Sequence, residues 1–149
     1  MTTLHCTPLL GAERRLLALF YKQHGSRMRA ANDGQLWVAR SDTIVAGLCL
    51  SAVADGQWLT GLFVAPAQRG RGAGAALVEA ALAAQAGPTW LFCHPDLALY
   101  YQRLGFNATT AMPEALASRL LRYQRSKALV AMVHGQSSLA SSPGNSTSV

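Results

Sequence analysis

Arg69-Gly70-Arg71-Gly72-Ala73-Gly74 is the stretch of this chain whose residue types and spacing are best suited to chemistry. Glycine lets backbone N–H groups approach an anion closely, a helix starting beside the loop adds partial positive charge, and two arginines add full charges. The chemistry expected of such a loop is the gripping of a phosphate-rich molecule. A turn that uses glycine only for backbone freedom is the plainer reading, and the paired arginines beside a helix start weigh against it.

The loop can act only if a strand delivers it and a helix leaves it. Gln35 to Arg40, Thr43 to Val53 and Gln57 to Val64 are β-branched, aromatic or otherwise apolar runs, joined by Ser41-Asp42 and Asp55-Gly56. This pattern predicts an antiparallel meander that Pro66 ends. Ala73 to Ala86 carries Leu77, Val78, Ala81 and Leu82 at helical spacing, with Gly87-Pro88 as its stop. Thr89 to His94 is short and apolar, so it reads as a buried strand. A whole helix separates it from the strand before, which predicts a parallel pair with a right-handed crossover.

Upstream, Leu4 to Cys6 predicts a short first strand and Thr7-Pro8 a helix N-cap with proline at the first helical position. Leu9, Leu10, Leu17, Phe20 and Tyr21 would form the apolar stripe of that helix, with Gly25 as its end. Ser26 to Gly34 is polar and basic and closes in turn chemistry. Downstream, helices are expected over Asp96 to Leu104, ended by Gly105, and over Pro113 to Tyr123, followed by a last strand over Ala128 to Val133. There is no internal repeat. The expected organisation is one domain over residues 1–135 and a disordered tail over 136–149, rich in Ser, Gly and Asn. Asn145-Ser146-Thr147 in that tail matches a glycosylation pattern by chance.

Composition supports a core-forming protein. The chain has 149 residues, half of them apolar and 13% charged, and a domain of this size buries about two-thirds of the surface its unfolded chain exposes. Three cysteines, Cys6, Cys49 and Cys93, lie far apart without metal-ligand spacing, which argues against a disulfide framework or a zinc site. No signal peptide or membrane span is visible, so the cytoplasm is the expected location. The formal charge of +6 suits an anionic partner. The arginines are scattered, and only Arg69 and Arg71 sit in a glycine loop, so nucleic acid is disfavoured.

Three families of phosphate loop remain to be separated. A Walker A loop needs a final Gly-Lys-Ser/Thr, which this chain lacks. Gly70 to Ala75 formally satisfies the dinucleotide fingerprint, but Pro66 and further residues intervene after the strand and a single βαβ unit is present. The third family fits. Leu62 to Leu77, with Arg69, Gly72 and Gly74 at the fixed places of Q/R-x-x-G-x-G/A, resembles the cofactor motif of the GNAT superfamily of N-acetyltransferases. His94 to Phe106 resembles its second signature, in which an Asn precedes a helix ending Tyr-x-x-x-Gly-Phe. Here His94 takes the place of the Asn.

The resemblance implies an α/β (α+β) fold with a mixed, mostly antiparallel central sheet, helices on both faces and one parallel βαβ pair splayed around the acyl-CoA site. It implies acetyl-CoA or another acyl-CoA as co-substrate, no metal, and direct acyl transfer to a primary amine. Leu62, Phe63, Val64, Arg69, Gly70, Arg71, Gly72, Ala73, Gly74, Ala75, His94 and Tyr101 would bind the cofactor, with main-chain groups of Phe63 and Val64 facing the thioester. Tyr101 is the candidate acid for the departing thiolate. His94 is a candidate base or a loop-bonding residue. The family's usual glutamate is missing, since Trp58 to Val64 holds no carboxylate, and a water chain could take its place. The acceptor would be a small amine or peptide, a neutral or acidic one suiting this basic chain better than a polycation. Arg119, Arg122 and Arg125 read either as contacts to an anionic acceptor or as a solvated helix edge. Membrane is not an expected partner, and a homodimer is left open. A catalytically silent acyl-CoA-binding module is the alternative function.

Overall fold

The computed structural model describes residues 3–135, so the tail and its Asn145 pattern lie outside the described residues. Among the described residues there are seven strands: β1 (His5–Leu9), β2 (Gln35–Arg40), β3 (Ile44–Val53), β4 (Gly56–Val64), β5 (Thr89–Cys93), β6 (Asn107–Ala108) and β7 (Val130–His134). Four α-helices accompany them: α1 (Arg15–Gln23), α2 (Ala73–Ala83), α3 (Ala98–Arg103) and α4 (Glu114–Gln124). Hydrogen bonding orders the strands β1-β2-β3-β4-β5-β7-β6. The pairs β1–β2, β2–β3, β5–β7 and β6–β7 are antiparallel, and β4–β5 is parallel. The mixed, mostly antiparallel sheet with one parallel pair is therefore as the sequence predicts.

The described residues divide into two compact units, residues 3–51 with 59–85, and residues 52–58 with 86–135. In the first, β2 and β3 read as continuous apolar runs because both faces are covered. Leu36, Val38 and Cys49 meet Leu17, Phe20 and Tyr21 of α1 in one buried cluster. Gly47 makes the close approach possible, since a Cβ there would fall 2.3 Å from the Leu17 side chain. The alternate residues Trp37, Ala39, Ala46 and Leu48 are buried as well, as are Leu77, Val78 and Ala81 of α2, which lies against β1 and β2.

The expected helix start at Thr7-Pro8 is not found. Both residues belong to β1, where Pro8 pairs with Trp37. β1 ends the strand order, and proline is tolerated on an edge strand, where a missing N–H breaks no ladder. Leu9 is buried from the strand and Leu10 is exposed, so the apolar stripe of α1 begins only at Leu17.

In the second unit, Gln57 and Trp58 of β4 pair with Thr89 and Trp90 of β5. Trp90 and Phe106 are fully buried. Arg119 of α4 packs over the Trp58 ring at 4.7 Å while Arg122 and Arg125 are exposed, so this arginine row is one packing residue and two surface residues. The two-residue β6 carries no periodicity and was invisible in the sequence. α2 stops at Ala83, before the expected Ala86. Gly87-Pro88 lies beyond the helix end and shapes the link that follows. Gly87 has φ +82° and faces Asp55, whose carbonyl oxygen would sit 2.2 Å from an added Cβ.

Gly87→Ala should therefore lower unfolding stability by about 2–4 kcal/mol, through left-handed strain and forced displacement of the 54–56 turn. A urea melt with an unchanged midpoint would contradict this close approach.

Candidate functional site

The sequence-predicted residues fall into two groups, one in each unit. In the first unit β4 does not run straight to its end. Gly61 has φ +67° within the strand, its carbonyl accepts a hydrogen bond from the Tyr21 hydroxyl at 2.5 Å, and Ala65 N–H donates to the Val45 carbonyl at 2.8 Å. Leu62, Phe63 and Val64 lie between these two pins. The Phe63 ring packs at centroid distances of 5.8 Å from Phe20 and 6.2 Å from His24. The Phe63 ring is thus committed to the interior.

A one-turn 3-10 helix, Pro66–Gln68, carries the chain from β4 into the glycine loop. Arg69 braces this corner: its Nε donates to the Val64 carbonyl at 3.0 Å and its guanidinium stacks 5.1 Å from the centre of the Phe63 ring. That carbonyl is thus engaged within the protein, a contact that no local pattern encodes. Gly70 and Gly72 take φ +79° and +82°, both in the left-handed region. Gly72 is the N-cap of α2 and offers no side chain to it. The first helical bond runs from Ala76 N–H to the Gly72 carbonyl at 2.9 Å. The N–H groups of Ala73, Gly74 and Ala75 therefore stand in the first turn, where a helix supplies no carbonyl partner and where its dipole favours negative charge. Arg71 is exposed beside them.

In the second unit β5 leads into His94, whose Nδ1 accepts the Asp96 N–H at 3.1 Å. The Asp96 carboxylate lies 3.4 Å from the same nitrogen, and His94 is 54% exposed. With Nδ1 accepting, the neutral ring carries its proton on Nε2 and presents a donor there. This arrangement caps the turn before α3.

Tyr101 is 8% exposed and packs against Phe106 at 5.8 Å and Tyr100 at 5.1 Å. Burial first, and neighbouring Tyr100 and Cys93 second, push its phenol above the ordinary tyrosine range, so it keeps its proton near neutrality. The spacing Tyr-x-x-x-Gly-Phe has a direct physical origin. Phe106 N–H bonds the Tyr101 carbonyl and Gly105 N–H the Gln102 carbonyl, each at 3.0 Å, with Gly105 at φ +96°. This is a Schellman helix end with its usual apolar contact between first and last members. It requires two rings and a glycine. It does not require the tyrosine hydroxyl.

An open apolar groove of about 690 Å³ in the second unit is lined by Met112, Leu120, Leu121 and Val130 among others. Its lining holds no titratable side chain and none of the residues picked from the sequence. Among the described residues no cluster of His, Cys, Asp or Glu could hold a metal ion, and no helix is long and apolar enough to cross a membrane. The residue missed by sequence reasoning is Tyr21, which was read only as part of an apolar stripe. Gly61 inside an apolar run was the available signal, since a glycine there often marks a bulge or a close approach.

Comparison with known proteins bears on the family and the fold. A family model described as an acetyltransferase (GNAT) domain matches residues 32–108, more than half of the chain. No curated protein matches by sequence. Solved structures match throughout the fold. The ribosomal-protein-S18-alanine N-acetyltransferase from Escherichia coli is 15% identical with a TM-score of 0.66, over 91% of this chain and 96% of that one. Naa50 from Arabidopsis thaliana, solved with the bisubstrate analogue CoA-Ac-MVNAL, is 14% identical with a TM-score of 0.63, over 89% of this chain and 99% of that one. N-acetylglutamate synthase from Neisseria gonorrhoeae, solved with coenzyme A and N-acetyl-glutamate, is 13% identical with a TM-score of 0.63 over 90% of this chain. This chain spans only 35% of that enzyme's length. At such identities the likeness establishes the fold, and the family match establishes kinship: the chain belongs to the GNAT acetyltransferase family.

Proposed function

We propose that residues 1–135 act as one acyltransferase domain that moves an acetyl group from acetyl-CoA to the amine of a small molecule or peptide. The observation that carries this reading is the start of α2, where Gly70 and Gly72 hold left-handed conformations and leave a side-chain-free helix end beside Arg69 and Arg71. In this reading the N–H groups of Ala73, Gly74 and Ala75 and the Arg71 guanidinium hold the pyrophosphate, while Arg69 fixes the corner between strand and loop. CoA-bound neighbours of the same fold support it. The three free thiols fit a reducing compartment, and the cytoplasm is where we expect the protein to act.

The thioester supplies the acyl group and a thiolate that can leave. Main-chain N–H groups of the Leu62 to Val64 segment stabilise the charge that grows on the carbonyl oxygen. The amine forms the new C–N bond as the C–S bond breaks. Tyr101, held protonated by burial, gives its proton to the sulfur and regains one from solvent, and the amine loses its proton to water. His94 caps the turn through Nδ1; we assign it no base role. The second reading, a silent acyl-CoA-binding module, draws on the strand Trp58 to Val64, which contains no carboxylate. An assay of thiol release from acetyl-CoA against amines, amino acids and peptides separates the two. Transfer to at least one acceptor is expected. Binding without thiol release to any of them would favour the module.

Two substitutions test the parts. Gly72 has open space around it, so Gly72→Asp adds charge without a clash. Asn tolerates the left-handed conformation about as well as Asp. Calorimetry should find acetyl-CoA bound at least about tenfold more weakly by Gly72→Asp than by Gly72→Asn; equal affinities would remove the pyrophosphate from this loop. Tyr101→Phe keeps the helix end intact and should lower kcat about 100-fold while leaving the melting midpoint nearly unchanged. Full turnover in that variant would leave Tyr101 a packing residue.

A further inference from the structure

The kink in β4 is made by a residue far from it in sequence. Tyr21 is 1% exposed and lies in the last turn of α1. Its hydroxyl donates to the Gly61 carbonyl at 2.5 Å. Burial above all, with the neighbouring Cys49 thiol second, pushes this phenol far above the ordinary range, so the hydroxyl stays protonated and stays a donor. The ring is held at its root as well. Ser26 N–H bonds the Tyr21 carbonyl at 2.9 Å and Gly25 N–H the Lys22 carbonyl at 3.1 Å, with Gly25 at φ +67°. The end of α1 is thus a second Schellman motif.

Gly61 answers this hydroxyl in shape. A Cβ added there would stand 2.6 Å from the Tyr21 oxygen, so the phenol occupies the space that any other residue's side chain would need. β4 ends at Val64, the Ala65 N–H just beyond it bonds the Val45 carbonyl at 2.8 Å, and Arg69 ties down the Val64 carbonyl at 3.0 Å. Leu62, Phe63 and Val64 are therefore held at both ends, and the first pin is a side chain of α1.

We propose that Tyr21 is a positioning residue for acyl transfer: its hydroxyl sets the Gly61 kink that aims the Leu62 to Val64 main chain at the acyl donor. The inference rests on the acyltransferase reading given above. Tyr21 touches no reacting atom and acts through the strand. Its removal should consequently disturb the step in which charge develops, and disturb much less the grip on the pyrophosphate, which belongs to the α2 start.

Tyr21→Phe keeps the buried ring and deletes one oxygen. The expected result is a kcat at least about tenfold lower, with KM for the amine and the calorimetric affinity for acetyl-CoA each within about threefold of wild type. Cys49→Ala, which removes the other neighbour of the hydroxyl, should keep wild-type kcat even if it lowers the melting midpoint as much. Gly61→Ala should be less damaging in the Tyr21→Phe background than alone, because the clash with the hydroxyl is gone. Wild-type kcat in Tyr21→Phe, or an equal loss in Cys49→Ala, overturns the positioning role and leaves the function standing. If the wild-type chain binds acetyl-CoA but transfers to no amine, the transfer reading and this inference fall together; the loop assignment survives.

Discussion

One hydrogen bond from a buried phenol to a strand carbonyl, Tyr21 to Gly61, decides what the end of β4 can do. A strand that continued its ladder unbroken would spend its main-chain groups on its neighbours and keep none for a ligand. The pairing of β4 with β5 stops at Trp58, and at Gly61 the glycine turns to φ +67° while a side chain of α1 takes its carbonyl. After the kink come, in order, the Leu62 to Val64 segment, the corner at Pro66 braced by Arg69, and the two left-handed glycines that open α2. The burial of α1 against β2 and β3 is what makes the bond rigid, so the packing of Leu17 at Gly47 serves the site as well as the core.

The two candidate tyrosines are set by the same local device. α1 and α3 both end in a Schellman motif, with Tyr21 and Tyr101 at the position whose carbonyl takes the sixth residue's N–H. In each case a glycine after the helix allows the chain to turn back, and the ring is locked without using its hydroxyl. The hydroxyl is then free for a separate task. In Tyr21 the task is structural. In Tyr101 burial keeps the proton in place and makes the phenol a weaker acid than a free tyrosine.

Much of this was legible in the sequence, for reasons that can be named. β2, β3 and β4 are apolar runs with turn residues between them, and α2 has helical periodicity after a glycine loop, so local patterns suffice for all four. The loop was legible because glycine and arginine at fixed spacing leave few alternatives. Pro8 was misread because proline suits both a helix start and an edge strand, and β1, with Leu9 its one buried residue, gives no alternation to decide between them. Gly87 was read as a helix stop, although its neighbour is the turn at Asp55, a contact that no local pattern encodes. Tyr21–Gly61 and Arg119–Trp58 join distant positions, and each partner has an ordinary local reading, as stripe residue, strand glycine, surface arginine or strand aromatic. Long-range pairs of that kind become visible only when the fold brings them together.

We propose that the side-chain-free start of α2 and the kinked end of β4 form the acyl-CoA grip. Backbone amide NMR with stepwise addition of acetyl-CoA tests it most directly, because the ligating groups are main-chain N–H bonds. The account predicts the largest shifts at Gly70 to Ala76 and at Leu62 to Val64. Binding that leaves these amides unmoved while perturbing others, or no binding at millimolar acetyl-CoA, would contradict it.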